Sequence, residues 1–167
     1  MVARSLTTAR LTLRQPIASD LAAYTAFAVS ARATSVGGPF DEAKAFDKLA
    51  AMIGHWELRG WGRYVITLDG RPIGHCGPLD TFGGTPELTW TLWDDSALDQ
   101  GLATEAVRAV IDHLLTDCDW PALKVCIDPS NANSHRMAAR VGAVRSDEPG
   151  PIRWPEAQTY YLRKEAA

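Results

Sequence analysis

Apolar and polar positions alternate at Leu11-Thr12-Leu13-Arg14, the two-residue period of a half-buried strand. Gln15-Pro16-Ile17-Ala18 ends it, and Ser19 or Asp20 is placed to cap a helix carrying Leu21, Tyr24 and Phe27. After a loop with Gly37-Gly38-Pro39, the residues Phe46, Leu49, Ala50 and Ile53 mark a second amphipathic helix, which fades near Gly60. Tyr64-Val65-Ile66-Thr67-Leu68 reads as a strand, Asp69-Gly70 as a hairpin turn, and Pro72-Ile73-Gly74-His75-Cys76 as the start of the return strand. A turn at Gly83-Gly84 leads into a strand from Glu87 to Trp93. Val107, Val110, Ile111, Leu114 and Leu115 then recur at helical spacing. Leu123 to Ile127 is a further strand, and Asp128-Pro129-Ser130 turns into a short helix from near Asn133 to Val141, capped by Gly142. Ala143-Val144-Arg145 and Thr159-Tyr160-Tyr161-Leu162 close the chain as two strands around a Pro-rich loop.

The order β-α-α-β-β-β-α-β-α-β-β joins central strands partly by hairpins. That argues against a purely parallel, doubly wound sheet and predicts an α/β (α+β) fold with a mixed sheet flanked by helices. At 167 residues, without repeats or linkers, the chain reads as a single domain over 1–167. Lys plus Arg (17) against Asp plus Glu (20) leaves a net charge of −3, which argues against a nucleic-acid partner and suits a cationic one. Cys76, Cys118 and Cys126 form no C-x-x-C pair, so neither a metal site nor a disulfide framework is indicated. The N-terminus lacks the apolar core of a signal peptide, and no apolar run approaches the ~18 residues that span a membrane. A cytoplasmic protein without a membrane partner is expected.

The junction between the Glu87–Trp93 strand and the next helix carries the first candidate chemistry. It reads Leu98-Asp99-Gln100-Gly101-Leu102-Ala103-Thr104. Gly101 lets a ligand approach the backbone closely, and a helix start offers unpaired N–H groups and the positive end of the helix dipole. Such a junction can hold a phosphate through main chain alone. An ordinary strand-to-helix loop explains one glycine equally well. Neither G-x-x-x-x-G-K-[ST] nor G-x-G-x-x-G is present.

Two motifs in the right order resemble the GNAT superfamily of acyl-coenzyme A-dependent N-acetyltransferases. The family's Q/R-x-x-G-x-G/A pyrophosphate loop is matched by Leu98 to Ala103, followed by Thr104-Glu105-Ala106. Its N-x-x-S helix start, ending in a G-F-like pair, is matched by Asn131-Ala132-Asn133-Ser134 and Gly142-Ala143. The Rim-type branch, which acetylates protein α-amino groups, is similar in four places. These are Pro72 to Gly77, Glu87 to Leu92, Gly101 to Ala106, and Asn131 to Arg136. The resemblance implies a mostly antiparallel central sheet, acetyl-CoA as cosubstrate, and an amine or peptide acceptor. A homodimer is compatible with it. There are departures: Leu98 replaces Gln or Arg, Ala143 replaces Phe, and Ala138 stands where many members place a tyrosine that protonates the leaving thiolate.

On this resemblance Leu98, Asp99, Gln100, Gly101, Leu102, Ala103 and Thr104 form the pyrophosphate loop, and the Leu92 and Trp93 N–H groups support the thioester carbonyl. Asn131 binds pantetheine or caps a helix, Ser134 hydrogen-bonds the departing sulfur or caps, and Arg136 and Arg140 meet adenosine phosphates or solvent. Glu87 is the candidate base, against a solvated strand-edge carboxylate; alternation puts it on one face with Thr89, Thr91 and Trp93. His75 and Cys76 are adjacent on a strand, so they point to opposite faces and make no catalytic pair. His113 and His135 read as surface residues, and Phe40, Trp56, Trp61 and Trp154 as candidates for the acceptor cleft. Asp94 and Asp95 near Glu87 favour cationic acceptors. The expected function is acetyl transfer to a primary amine, foremost a peptide α-amino group. Its rivals are acetylation of a polyamine or aminoglycoside, a non-catalytic acyl-CoA sensor, and a nucleotide-binding regulatory domain.

Overall fold

In the computed structural model, which describes residues 1–82, 84–152 and 154–164, a short strand β1 (Ser5–Thr7) precedes the expected first strand β2 (Leu11–Arg14). The helices α1 (Leu21–Ala28) and α2 (Glu42–Arg59) follow. The expected cap at the head of α1 is not made. Asp20 is 1% exposed, and its carboxylate takes both Arg14 guanidinium nitrogens at 2.8 and 2.7 Å and the Ile17 N–H at 2.8 Å. A bidentate pair between two charged groups outcompetes a single bond from the carboxylate to a helix N–H. On α2 the buried stripe is Ala45, Leu49, Met52 and Trp56, while Phe46 is 58% exposed. Of the expected face, Leu49 is buried and Ile53 packs against the core, whereas Phe46 and Ala50 are exposed.

β3 (Tyr64–Leu68) and β4 (Arg71–Leu79) form the expected hairpin, with Asp69 and Gly70 both at positive φ as a type I′ turn requires. The turn expected at Gly83-Gly84 includes Gly83, which lies outside the described residues. Then come β5 (Glu87–Leu92), α3 (Leu102–Asp112), β6 (Ala122–Ile127), α4 (Ala132–Arg140), β7 (Val144–Arg145) and β8 (Gln158–Arg163). The eight strands lie in the order β1-β2-β3-β4-β5-β6-β8-β7. Neighbours are antiparallel except β5 and β6, so the sheet is mixed and mostly antiparallel, as expected.

The apolar face of α3 (Leu102, Ala106, Val107, Val110) packs into the larger core cluster with Ile66, Ile73, Leu88, Leu123 and Val125 of the sheet. A smaller cluster joins Tyr24, Phe27 and Leu49 of α1 and α2 to Val65 and Trp93. Helices on both faces thus leave the middle of the sheet as the place where two strands can part. No helix among the described residues is long and apolar enough to cross a membrane.

Candidate active site

β5 and β6 are parallel but pair at one position, Glu87 with Lys124, reinforced by the Lys124 N–H donating to the Pro86 carbonyl at 2.9 Å. Beyond that point they splay. Leu88 to Leu92 on one side and Val125 to Asp128 on the other wall a cleft of about 810 Å³, with Glu87 at its apex. Ser134 and Met137 of α4 with the capping residue Asn131, Ala103 of α3, Leu98, Phe27, Arg32, Trp154 and the 34–37 segment are among the other lining residues.

Backbone polarity in this cleft follows from register. The Trp93 N–H donates to the Ile73 carbonyl at 2.7 Å, which makes that pair a hydrogen-bonded one. Counting back along β5, Thr91 and Thr89 also turn their N–H groups to β4, while those of Leu92 and Trp90 point the other way, towards the gap. The Trp93 amide is therefore not available to a thioester, and its indole is buried, donating from Nε1 to Nδ1 of His75 at 2.9 Å. That bond leaves His75 neutral. Burial, then Arg63 and Lys48, push its pKa well below the ordinary value.

The rim of β5 is held from outside. Arg32 donates to the Trp93 and Leu92 carbonyls at 2.7 and 3.1 Å and pairs with Asp95 at 2.7 Å. Asp94 pairs with Arg71 at 2.6 Å and accepts from the Ser96 N–H and hydroxyl, and these hydrogen bonds hold its pKa low. Both carboxylates are thus paired with arginines of the chain, which leaves Glu87 and Asp128 as the carboxylates that line the cleft itself.

Gly101 stands ahead of α3 at φ 74°, and no side chain caps the helix. The Glu105 N–H is bonded to the Gly101 carbonyl, so those of Leu102, Ala103 and Thr104 have no intrahelical acceptor. The turn is clamped from the β1–β2 hairpin. Glu105 accepts from the Thr8 hydroxyl at 2.6 Å, the Arg10 N–H at 3.0 Å and Arg10 Nε at 2.7 Å, while Arg10 Nη1 reaches the Gln100 carbonyl at 3.0 Å. Desolvation works to raise the Glu105 pKa, but the hydrogen bonds from Thr8 and Arg10 together outweigh it and hold the carboxyl below the usual range.

These features match a known family along most of the chain. A model of the acetyltransferase (GNAT) domain matches residues 10–144. The chain belongs to the GNAT family. An acetyltransferase from Agrobacterium tumefaciens is 31% identical, with a TM-score of 0.87 over 98% of this chain and 96% of that one. RimL, a ribosomal L7/L12 alpha-N-protein acetyltransferase solved with coenzyme A, is 16% identical with a TM-score of 0.77, over 95% of this chain and 96% of its own. An acetyl transferase from Salmonella typhimurium that modifies the N-terminal serine of L7/L12 is 15% identical with a TM-score of 0.76, over 95% and 97%. No curated protein matches the sequence.

Of the residues singled out from the sequence, the GNAT cleft collects Glu87, Leu92, Leu98, Ala103, Asn131 and Ser134. Gly101 and Thr104 line a shallower groove along α3, with Arg10, Arg108 and Arg140. Leu102 is 1% exposed and anchors the helix in the core, and Asp99 lies on the surface. The Gln100 side chain turns back to the Ser96 carbonyl. Arg136 bonds Asn133 on its own helix. Asn131 is the cap, accepting the Ser134 N–H at 3.0 Å, which leaves the Ser134 hydroxyl to the cleft. Ala138 is fully buried, so the residue that lines the cleft at that turn is Met137. Among the aromatic candidates Trp154 lines the cleft, whereas Trp56 packs on Tyr64, Trp61 on Trp120, and Phe40 beneath Lys48. Arg32, Met137 and the Thr8–Arg10–Glu105 clamp had no local sequence signal.

Proposed function

We propose that this GNAT domain is an acetyl-CoA-dependent N-acetyltransferase that moves the acetyl group to a primary amine by direct attack, and that its acceptor is a peptide or protein α-amino group. The observation that carries this reading is a cleft between β5 and β6 with a carboxylate at its apex, reached by Leu98 and Ala103 on either side of the uncapped helix start at Gly101. The residues fit acetyl-CoA. The N–H groups of Leu102, Ala103 and Thr104 suit a pyrophosphate, and Leu98, Ala103, Asn131 and Met137 suit a pantetheine arm.

Bound acetyl-CoA supplies a thioester whose carbonyl is the electrophile and whose thiolate leaves. The Leu92 N–H, aimed into the gap, meets the carbonyl oxygen as negative charge develops on it. Glu87 takes the proton of the incoming ammonium, directly or through a water. Ser134 holds the departing sulfur, and the proton that the nitrogen sheds as the amide bond forms ends on that sulfur as the C–S bond breaks. Positioning alone supplies roughly 7–11 kcal/mol of the barrier and proton transfer ~3–5 kcal/mol, so the absence of a tyrosine at Ala138 does not remove the main effect.

Relatives named for L7/L12 acetylation share the fold and motivate the acceptor. The test is a screen of short peptides with free N-termini, polyamines and aminoglycosides, with released thiol detected. Turnover on peptides is expected. Turnover confined to a polyamine or aminoglycoside would move the assignment to a small-molecule amine, and no thiol release with any acceptor, despite tight acetyl-CoA binding, would make the domain a sensor.

The clamp gives a further expected result. Glu105→Gln removes the charge that holds Arg10 and Thr8, and should weaken acetyl-CoA binding about tenfold while kcat at saturation is retained. Because the Glu105 pKa is held low, the clamp is intact above the unfolded carboxylate value of about 4.3 and is lost as pH falls through the lowered one. Calorimetric titration of parent and variant checks this; equal affinities would show that the turn stands without the clamp.

A further inference from the structure

Away from the cleft, α3 gives way to a π-helical turn, His113–Asp117, which brings a second set of reactive side chains together. Cys118 Sγ lies 3.3 Å from Nε2 of His113, and Nδ1 of the same ring lies 3.0 Å from Oδ2 of Asp117. The wide turn makes this possible, since the Cys118 N–H donates to the His113 carbonyl five residues back at 2.9 Å. His113, expected at the surface, is 8% exposed, while Cys118 is half-buried and can be reached. None of the three lines the cleft.

The backbone fixes the tautomer of His113. The Ala3 N–H donates to Nε2 at 2.9 Å, and an amide nitrogen can only donate, so Nε2 carries a lone pair. The ring proton is therefore on Nδ1, directed at Asp117. The single lone pair of Nε2 is shared between the Ala3 N–H and the sulfur, the thiol also reaches the Met1 carbonyl at 3.5 Å, and a carboxylate orients the ring from behind, so moving the thiol proton to Nε2 displaces the Ala3 bond. The other thiols differ. Cys76 is fully buried, and burial pushes its pKa up. Cys126 lies in the cleft.

We propose that Cys118, with His113 as base and Asp117 as its orienting group, is a reactive thiol that undergoes exchange with small-molecule disulfides. The thiol proton passes to Nε2 of His113 and the sulfur attacks one sulfur of R–S–S–R. A new S–S bond forms, the old one breaks, and R–S⁻ leaves and takes up a proton. The cysteine is oxidised and the incoming disulfide is reduced, so no other oxidant is needed. Nε2 gives up the Ala3 bond only while it carries the proton; when the proton passes on to R–S⁻ the ring is neutral again, and through both states Tyr64 holds the Ala3 carbonyl at 2.7 Å.

The test uses the whole chain and the aromatic disulfide 5,5′-dithiobis(2-nitrobenzoate), following release of the coloured thiolate and mapping the modified residue by mass spectrometry. One thiol should react at least about tenfold faster than the others, map to Cys118, and vanish in Cys118→Ser. His113→Asn should slow it at least about tenfold, and Asp117→Asn, a change at a surface side chain, several-fold. A fast phase that maps to Cys126, or no fast phase, overturns the proposal. So does a fast phase at Cys118 that both His113→Asn and Asp117→Asn leave unchanged, because exposure would then set the rate; where His113→Asn does not fold, an unchanged rate in Asp117→Asn overturns the assigned triad.

Discussion

Glu87→Gln should lower kcat/KM by about 10²–10⁴-fold near neutral pH and leave acetyl-CoA affinity unchanged. Glu87 is 8% exposed at the one position where β5 and β6 still pair, so its backbone is fixed while its side chain borders the opening. Alternation along β5 puts it on the face of Thr89 and Thr91, both of which line the cleft. Its charge also reaches Arg63, whose pKa burial lowers and whose neighbours Tyr24 and Glu87 pull back up. Glutamine keeps the shape and loses the base. An α-amino group titrates near 7.7–8.0, so raising the pH supplies free amine without help and should restore part of the loss. Kinetics of both proteins from pH 6 to 10 decide the matter. Parallel profiles of equal height would assign Glu87 to structure.

What could be read from the sequence was local. The Asp69-Gly70 hairpin and the Gly101 junction each lie within a few consecutive residues, and both were found where expected. Asn131 and Ser134 could not be told apart by type, since either can cap a helix; their division of labour appears only in the bond from the Ser134 N–H to Asn131. The face of Trp93 followed from alternation, but the fate of its N–H depended on the register of β4, which no pattern within β5 encodes. The clamp was further out of reach. Arg10 and Glu105 are 95 residues apart, and each alone looks like an ordinary surface charge. The same holds for Arg32, which crosses 60 or so residues to the carbonyls at the end of β5. Contacts of this range set the shape of the site, and a period of 2 or 3.6 residues carries no trace of them.

Gly101→Glu should raise the dissociation constant for acetyl-CoA at least about 100-fold, or ~2.7 kcal/mol, while the fold survives. Space is not the obstacle: a Cβ at Gly101 would meet no heavy atom closer than Arg10 Nη2, at 3.7 Å. Backbone strain is a smaller part of the effect. At φ 74° any other residue costs roughly 1–2 kcal/mol, which loosens the turn but does not block it. Charge is the larger part. Two like unit charges 4 Å apart repel by about 4 kcal/mol at an effective dielectric of 20, and the carboxylate would sit where the pyrophosphate approaches the helix start. Arg10 offsets some of this, although its guanidinium is already bonded to Glu105 and the Gln100 carbonyl. Gly101→Ala separates the two effects, because it brings the strain without the charge and should cost no more than about tenfold in affinity. Calorimetry on both variants, with thermal melts to confirm folding, provides the comparison. If the glutamate variant binds acetyl-CoA as tightly as the alanine variant, the pyrophosphate does not lie against Gly101.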